Sequence, residues 1–226
     1  QWIMHSEAAI DSDPPLGCIS FGVRTVTILL ITLCLSAMKA PGSGDALRPG
    51  LSEMFLEYVS VRYPGLDLSQ DMLYVSVARQ RMFHLKDGRF TREYVISTAH
   101  RGTGSRVDSR RTPLGLHVVQ EKIGADTPPF GVLKERSWTG EIAWEDETEL
   151  EDVITSRILW LAGLEAGVNK GEGIDSWDRF IYIHGTAAEA RLGTPASEGC
   201  VRMKNADIID LFDRVAIGTP VLILDN

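Results

Sequence analysis

The chain has 226 residues, 44% of them hydrophobic and 24% charged, a composition that supports one sizeable core and excludes wholesale disorder. A formal net charge of -8 argues against nucleic acid as a partner, because phosphate binding needs clustered Lys and Arg and no basic stripe is present. Nothing in the length calls for two full domains.

Residues 1–50 read as leader and linker. The run at 26–38 (VTILLITLCLSAM) is uninterruptedly apolar, follows Arg24, and has the length of a secretory h-region, short for a bilayer span. An uncleaved signal anchor and a buried helix are the alternatives. The segment before it is acidic through Glu7, Asp11 and Asp13, and the first methionine is Met4, which reads as a fragment or a displaced start. Cys34 follows Ile31-Thr32-Leu33 and lacks the small residue that precedes a lipid-modified cysteine. The expectation is an exported protein of the periplasm or cell envelope, membrane-anchored if the run is retained. Cleavage would remove Cys18 and Cys34 and leave Cys200 as the only thiol. In an oxidising compartment a lone cysteine is a candidate reactive group; the alternative is an inert buried one.

Leu51, Met54, Phe55, Tyr58 and Val59 recur at helical spacing and Pro64-Gly65 follows, predicting a helix in a short appendage at 51–71. From Met72 the period becomes two, with Leu73, Val75 and Val77 alternating with Tyr74, Ser76 and Ala78. Two strand-like runs flank Lys86-Asp87-Gly88, the signal of a hairpin. A polar loop rich in Gly and Arg covers 100–111, and Thr112-Pro113-Leu114-Gly115 leads into a strand at 116–121. The stretch 141–152 reads as a solvated acidic loop without the alternating Asp/Asn and glycine of a calcium loop. RILWL at 157–161 predicts a buried strand. FIYI at 180–183 predicts another, with His184 at its end and Gly185-Thr186 after it. Asn205 is the expected N-cap of an amphipathic helix carrying Ile208, Ile209, Leu211, Phe212 and Val215, and 220–224 is the last strand. There are no internal repeats. The predicted class is α+β, β-rich, with the main domain at 72–226.

Cys200 follows His184 after fifteen intervening residues, in the turn Ser197-Glu198-Gly199-Cys200. A cysteine attacks as thiolate, so it needs a group that takes its proton, and His184 is the candidate base. His84 on a hairpin strand, His100 in a loop and His117 in a strand lack comparable small neighbours and read as structural or solvated. The turn offers successive backbone N–H groups beside the thiol, as an oxyanion hole requires, and Gly199 permits close approach. Metal binding is the weaker alternative, because one Cys and one His do not complete a zinc site.

At these residues the chain resembles the YkuD-type L,D-transpeptidases, bacterial cell-wall enzymes with a catalytic cysteine. The resemblance runs over 72–225. It rests on His184-Gly185-Thr186 and on 195–203 (PASEGCVRM), supported by Gly102-Thr103-Gly104-Ser105, Arg111-Thr112-Pro113-Leu114-Gly115 and Ile158-Leu159-Trp160-Leu161. One departure is Glu198, where many members carry a second histidine.

The resemblance implies a mixed β-sandwich with the 205–215 helix beside the strand of the base. It also implies peptidoglycan stem peptides as donor and acceptor, or an outer-membrane lipoprotein as acceptor, and no cofactor. Cys200, activated by His184, would attack the peptide carbonyl at the bond after a donor's meso-diaminopimelate and expel the terminal D-alanine, with the Gly199 and Cys200 N–H groups holding the oxyanion and Gly185 or Thr186 orienting the imidazole. Arg202 would hold a substrate carboxylate or an internal acid, Ser197 would orient the turn, and Tyr182 and Trp160 would line the cleft or the core. A carboxypeptidase or cross-link hydrolase on the same scaffold, and a non-enzymatic wall-binding domain, are the other readings.

Overall fold

The computed structural model describes residues 49–144 and 153–226. The apolar run at 26–38, Cys18, Cys34, most of the linker and the acidic stretch at 145–152 lie outside the described residues.

Helix α1 (Pro49–Arg62) stops just before Pro64, as its sequence predicts. Phe55 and Val59, one turn apart, are its buried residues, whereas Met54 and Val61 are exposed. Phe55 stacks on Tyr74 with ring centroids 4.4 Å apart and lies in one cluster with Phe83 and Phe90. The partner surface is the antiparallel set β1 (Met72–Ser76), β2 (Arg81–Lys86) and β3 (Arg89–Ser97). All five residues of β1 are buried: the helix covers the face that a two-residue period would leave in water. Asp87 and Gly88 both have positive φ (51° and 68°), the twist a tight hairpin needs.

The remaining strands are β4 (Gly115–Ile123), β5 (Gly131–Lys134), β6 (Ser137–Ile142), β7 (Ile154–Gly163), β8 (Tyr182–Thr186) and β9 (Val201–Met203). Helix α2 (Asn205–Arg214) and β10 (Pro220–Leu224) complete the chain. Among the described residues the strands form one mixed sheet in the order β4-β10-β1-β2-β3-β9-β8-β7-β5-β6, and β4 also pairs with β7. The expected β-rich α+β class is therefore present, and the β4–β7 pairing turns the sheet back on itself. Inside lie Leu73, Val75, Ile96, Leu159, Leu161, Ile183, Val201 and Met203, capped by Ile208, Leu211 and Phe212 of α2. Truncating any one of the aliphatic side chains among them to alanine would cost about 2–5 kcal/mol. As anticipated, α2 packs beside β7 and β8.

Three local expectations are corrected, and one hairpin is unanticipated. Strand β8 begins at Tyr182; Phe180 is half-exposed with φ 54°, so His184 sits mid-strand, paired on both sides. Lys204 is the N-cap of α2 and has no side-chain cap bond; Asn205 turns inward because Glu189 accepts its N–H at 2.7 Å. Glu141 and Ile142 belong to β6, not to an acidic loop. The β5–β6 hairpin has no sequence signal, because β6 is exposed along its whole length and the turn residues Glu135 and Arg136 reach φ 49° and 66° without glycine or asparagine.

Candidate active site

Strands β8 and β9 run parallel, with Ile183, His184 and Gly185 opposite Val201, Arg202 and Met203. This register brings Cys200, the residue before β9, against the start of β8. The Tyr182 N–H points at Cys200 Sγ across 3.4 Å, and the thiol faces the Phe180 carbonyl at 3.4 Å. An N–H aimed at sulfur favours the thiolate.

His184 is fully buried. Its Nδ1 lies 2.8 Å from the Gly185 carbonyl, which can only accept, so the proton sits on Nδ1 and Nε2 carries the lone pair. Gly185 is demanded by space: a Cβ there would lie 2.6 Å from the Thr155 carbonyl and 2.8 Å from Asn205 Oδ1. Asn205 knits the region together. Its Nδ2 donates to the Thr186 carbonyl (2.7 Å) and to Glu189 (2.8 Å), and its Oδ1 accepts from Thr155 (2.6 Å) and Ser156 (2.5 Å). The imidazole is thus carried on a strand fixed from β7 and from α2.

The turn before Cys200 is also tied down. Ser197 donates from its hydroxyl to the Cys200 carbonyl (2.6 Å) and accepts from the Gly199 N–H (3.3 Å), while the His100 N–H donates to the Ser197 carbonyl (3.0 Å). Thr112 donates to the Gly199 carbonyl at 3.0 Å and accepts the Ala99 N–H at 3.0 Å. Gly199 has φ 135°, a conformation that suits glycine and no other residue.

Cys200, His184, Phe180 and Tyr182 line an open cavity of about 500 Å³ whose other walls are Ile154, Ile181, Glu198, Val107, Asp108, Arg110 and Asp178-Arg179. Arg179 fastens the 107–110 loop by donating to the carbonyls of Arg111 (2.7 Å) and Gly104 (3.3 Å) and to Ser109 Oγ (3.4 Å). Burial lowers its pKa, and the charge of Cys200 acts in the opposite sense; reciprocally, the guanidinium favours thiolate at Cys200. Arg110 pairs with Glu198 at 2.8 Å, both side chains about half-exposed. Behind Tyr182, Trp160 stacks on Trp177 at 3.6 Å and meets Tyr182 edge-on at 5.5 Å. Burial raises the pKa of Tyr182, keeping its phenol neutral.

Of the residues the sequence singles out, Cys200, His184 and Tyr182 face the cavity, and Gly185, Thr186, Ser197 and Gly199 stand directly behind them. Arg202, 4% exposed on β9, and Trp160, 7% exposed in the aromatic cluster, lie outside the lining. His84 is buried against Asp71 and His117 between Gly115 and Ser176, while exposed His100 holds the turn before Cys200. Sequence reading missed Arg110, Arg179 and the hairpin residue Arg136. An arginine in a polar loop looks like any solvated cation until its partner is known.

Residues 70–223 match the model of the YkuD family, the L,D-transpeptidase catalytic domain. The chain is 49% identical over 48 residues, 21% of its length, to the probable L,D-transpeptidase ErfK/SrfK of Escherichia coli, spanning 16% of that protein. It is 44% identical over 48 residues to the putative L,D-transpeptidase YqjB of Bacillus subtilis, spanning 27% of it. Among solved structures it is similar to the catalytic domain of the Enterococcus faecium L,D-transpeptidase, with 19% identity, 70% of this chain and 100% of that one covered, and a TM-score of 0.42.

Proposed function

The chain belongs to the YkuD family of L,D-transpeptidase catalytic domains, and we propose that it is an exported cell-wall transpeptidase that joins peptidoglycan stem peptides through an acyl-enzyme on Cys200. Its donor is a stem tetrapeptide, and its acceptor is an amine of a second stem or of an outer-membrane lipoprotein. The observation that carries the reading is the convergence of Cys200 and His184 on one cavity, with the imidazole tautomer set by the Gly185 carbonyl.

In this reading Nε2 of His184 takes the thiol proton and the thiolate attacks the diaminopimelate carbonyl of the amide bond to the terminal D-alanine. The tetrahedral oxyanion takes hydrogen bonds from the N–H groups of Cys200 and Gly199. The Gly199 N–H gives up its long 3.3 Å bond to Ser197 for the stronger charge-assisted one. His184 returns the proton to the departing D-alanine amine, leaving a thioester. An acceptor amine then attacks the thioester, its proton passes through His184 to the sulfur, and the new amide is released. Water in place of the amine gives the carboxypeptidase outcome.

Incubation of the full chain with donor and acceptor stems, followed by mass spectrometry of the products, tests the reading. Cross-linked dimer that disappears in Cys200→Ala, with the melting temperature unchanged, is the expected result. Cross-linking that persists in that variant sinks it, and release of D-alanine without dimer at saturating acceptor moves the assignment to hydrolysis.

A further inference from the structure

Several guanidinium groups surround the cleft, and their existing commitments differ. Arg179 is spent on the carbonyls of Gly104 and Arg111 and on Ser109; Arg110 is neutralised by Glu198; Arg202 is buried on β9 outside the lining. Arg136, at the tip of the β5–β6 hairpin, is held differently. Its Cζ lies 4.9 Å from the Trp160 ring centre and 5.5 Å from that of Phe180, and its charge acts on the Tyr182 phenol against the effect of burial. Two of those three aromatic residues, Phe180 and Tyr182, face the cavity of Cys200.

Aromatic faces and a neutral phenol orient a guanidinium without cancelling its charge. Among the described residues no carboxylate is paired with Arg136. The backbone supports this placement at a cost, because Glu135 and Arg136 both sit in the left-handed region. Such strain in residues other than glycine collects where a side chain must be aimed.

We propose that Arg136 is a substrate-binding residue that receives a carboxylate of the donor peptide at the aromatic wall of the cleft. The inference rests on the transpeptidase reading for the identity of the donor. It places the anion-recognising group on the hairpin, away from the β8–β9 strands that hold Cys200 and His184. The carboxylate in question is the one on the side-chain end of diaminopimelate, which a donor amidated at that position lacks.

The test uses full-length Cys200→Ser protein and Trp fluorescence titration with a stem tetrapeptide and with its side-chain amide. The Arg136 background should bind the carboxylate form at least tenfold more tightly than the amide. Arg136→Gln should remove that preference, and Arg136→Lys should restore part of it. Circular dichroism of the Arg136→Gln chain should match that of the parent, which separates lost recognition from lost folding. Equal binding of the two donors, or of neither, by the Arg136 protein overturns the proposal, as does an equal loss of both on Arg136→Gln. Preserved discrimination without any acyl transfer by the Cys200 protein would overturn the transpeptidase reading and leave the carboxylate site standing.

Discussion

The β8–β9 strand pair, beside the cleft of Cys200, and the β5–β6 hairpin, whose Arg136 reaches the Phe180 ring at the cleft wall, are built on opposite principles. Strand β8 is buried along its length, paired on both sides, and backed by the Asn205 network; β6 is exposed at every position and its turn is strained. The proposed base and nucleophile, His184 and Cys200, sit on or beside the first. The proposed carboxylate-binding Arg136 sits on the second. Rigidity is supplied where bonds would change, and adaptability where a substrate would be recognised.

The comparison can be broken most severely at Gly185. A methyl group there meets backbone on β7 and the Asn205 carboxamide, neither of which can yield without moving the strand. Gly185→Ala should therefore cost about 3 kcal/mol of stability and lower acyl transfer at least a hundredfold, measured by thermal melts and product formation. A variant with native stability and activity would show that the strand is more compliant than its packing implies.

The buried side also carries a pH signature that the hairpin lacks. His117 is enclosed, with Nδ1–H donating to Gly115 O and Nε2 accepting from Ser176, and burial depresses its pKa from 6.5 to about 4. Unfolded histidine binds a proton near 6.5, so this contribution is complete above pH 6.5 and is lost as the pH falls from there towards 4. About 3 kcal/mol should disappear over that window. His84, also pushed down chiefly by burial, acts in the same direction. Urea melts at pH 7 and pH 4.5 would read the loss, and His117→Gln should flatten the profile.

The smallest stability effect belongs to the exposed pair Arg110–Glu198, worth under about 1 kcal/mol. Its consequence is electrostatic. Glu198 is a negative charge on the cavity wall, so Glu198→Gln should move the pH profile of Cys200 alkylation to lower pH, and Arg110→Gln to higher pH. Glu198→His should shift it in the same direction as Gln. Unmoved profiles would uncouple this pair from the thiol.

What the sequence disclosed follows the same division. Cys200 and His184 were legible because their surroundings are local: an apolar run, a glycine, a serine three residues before the thiol. Helix α1, the Asp87-Gly88 hairpin and α2 carry ordinary periodic or turn signals. The hairpin of Arg136 carries neither, since an exposed strand has no hydrophobic alternation and Glu135-Arg136 is not a recognisable turn pair. Arg110 and Arg179 take their meaning from partners 88 and 68 residues away. Asn205 looked like a cap because its type and position suit one; Glu189, sixteen residues earlier, takes that role instead.

The central claim, that Cys200 carries the acyl group, is tested most directly by the intact mass of the full chain after brief incubation with a stem tetrapeptide and no acceptor. The account predicts a gain equal to the tetrapeptide minus one D-alanine, mapped by digestion to the peptide containing Cys200 and absent in Cys200→Ala. An unmodified protein that nevertheless releases D-alanine faster than its intermediate could be lost to hydrolysis, or an adduct mapped to any other residue, would contradict it.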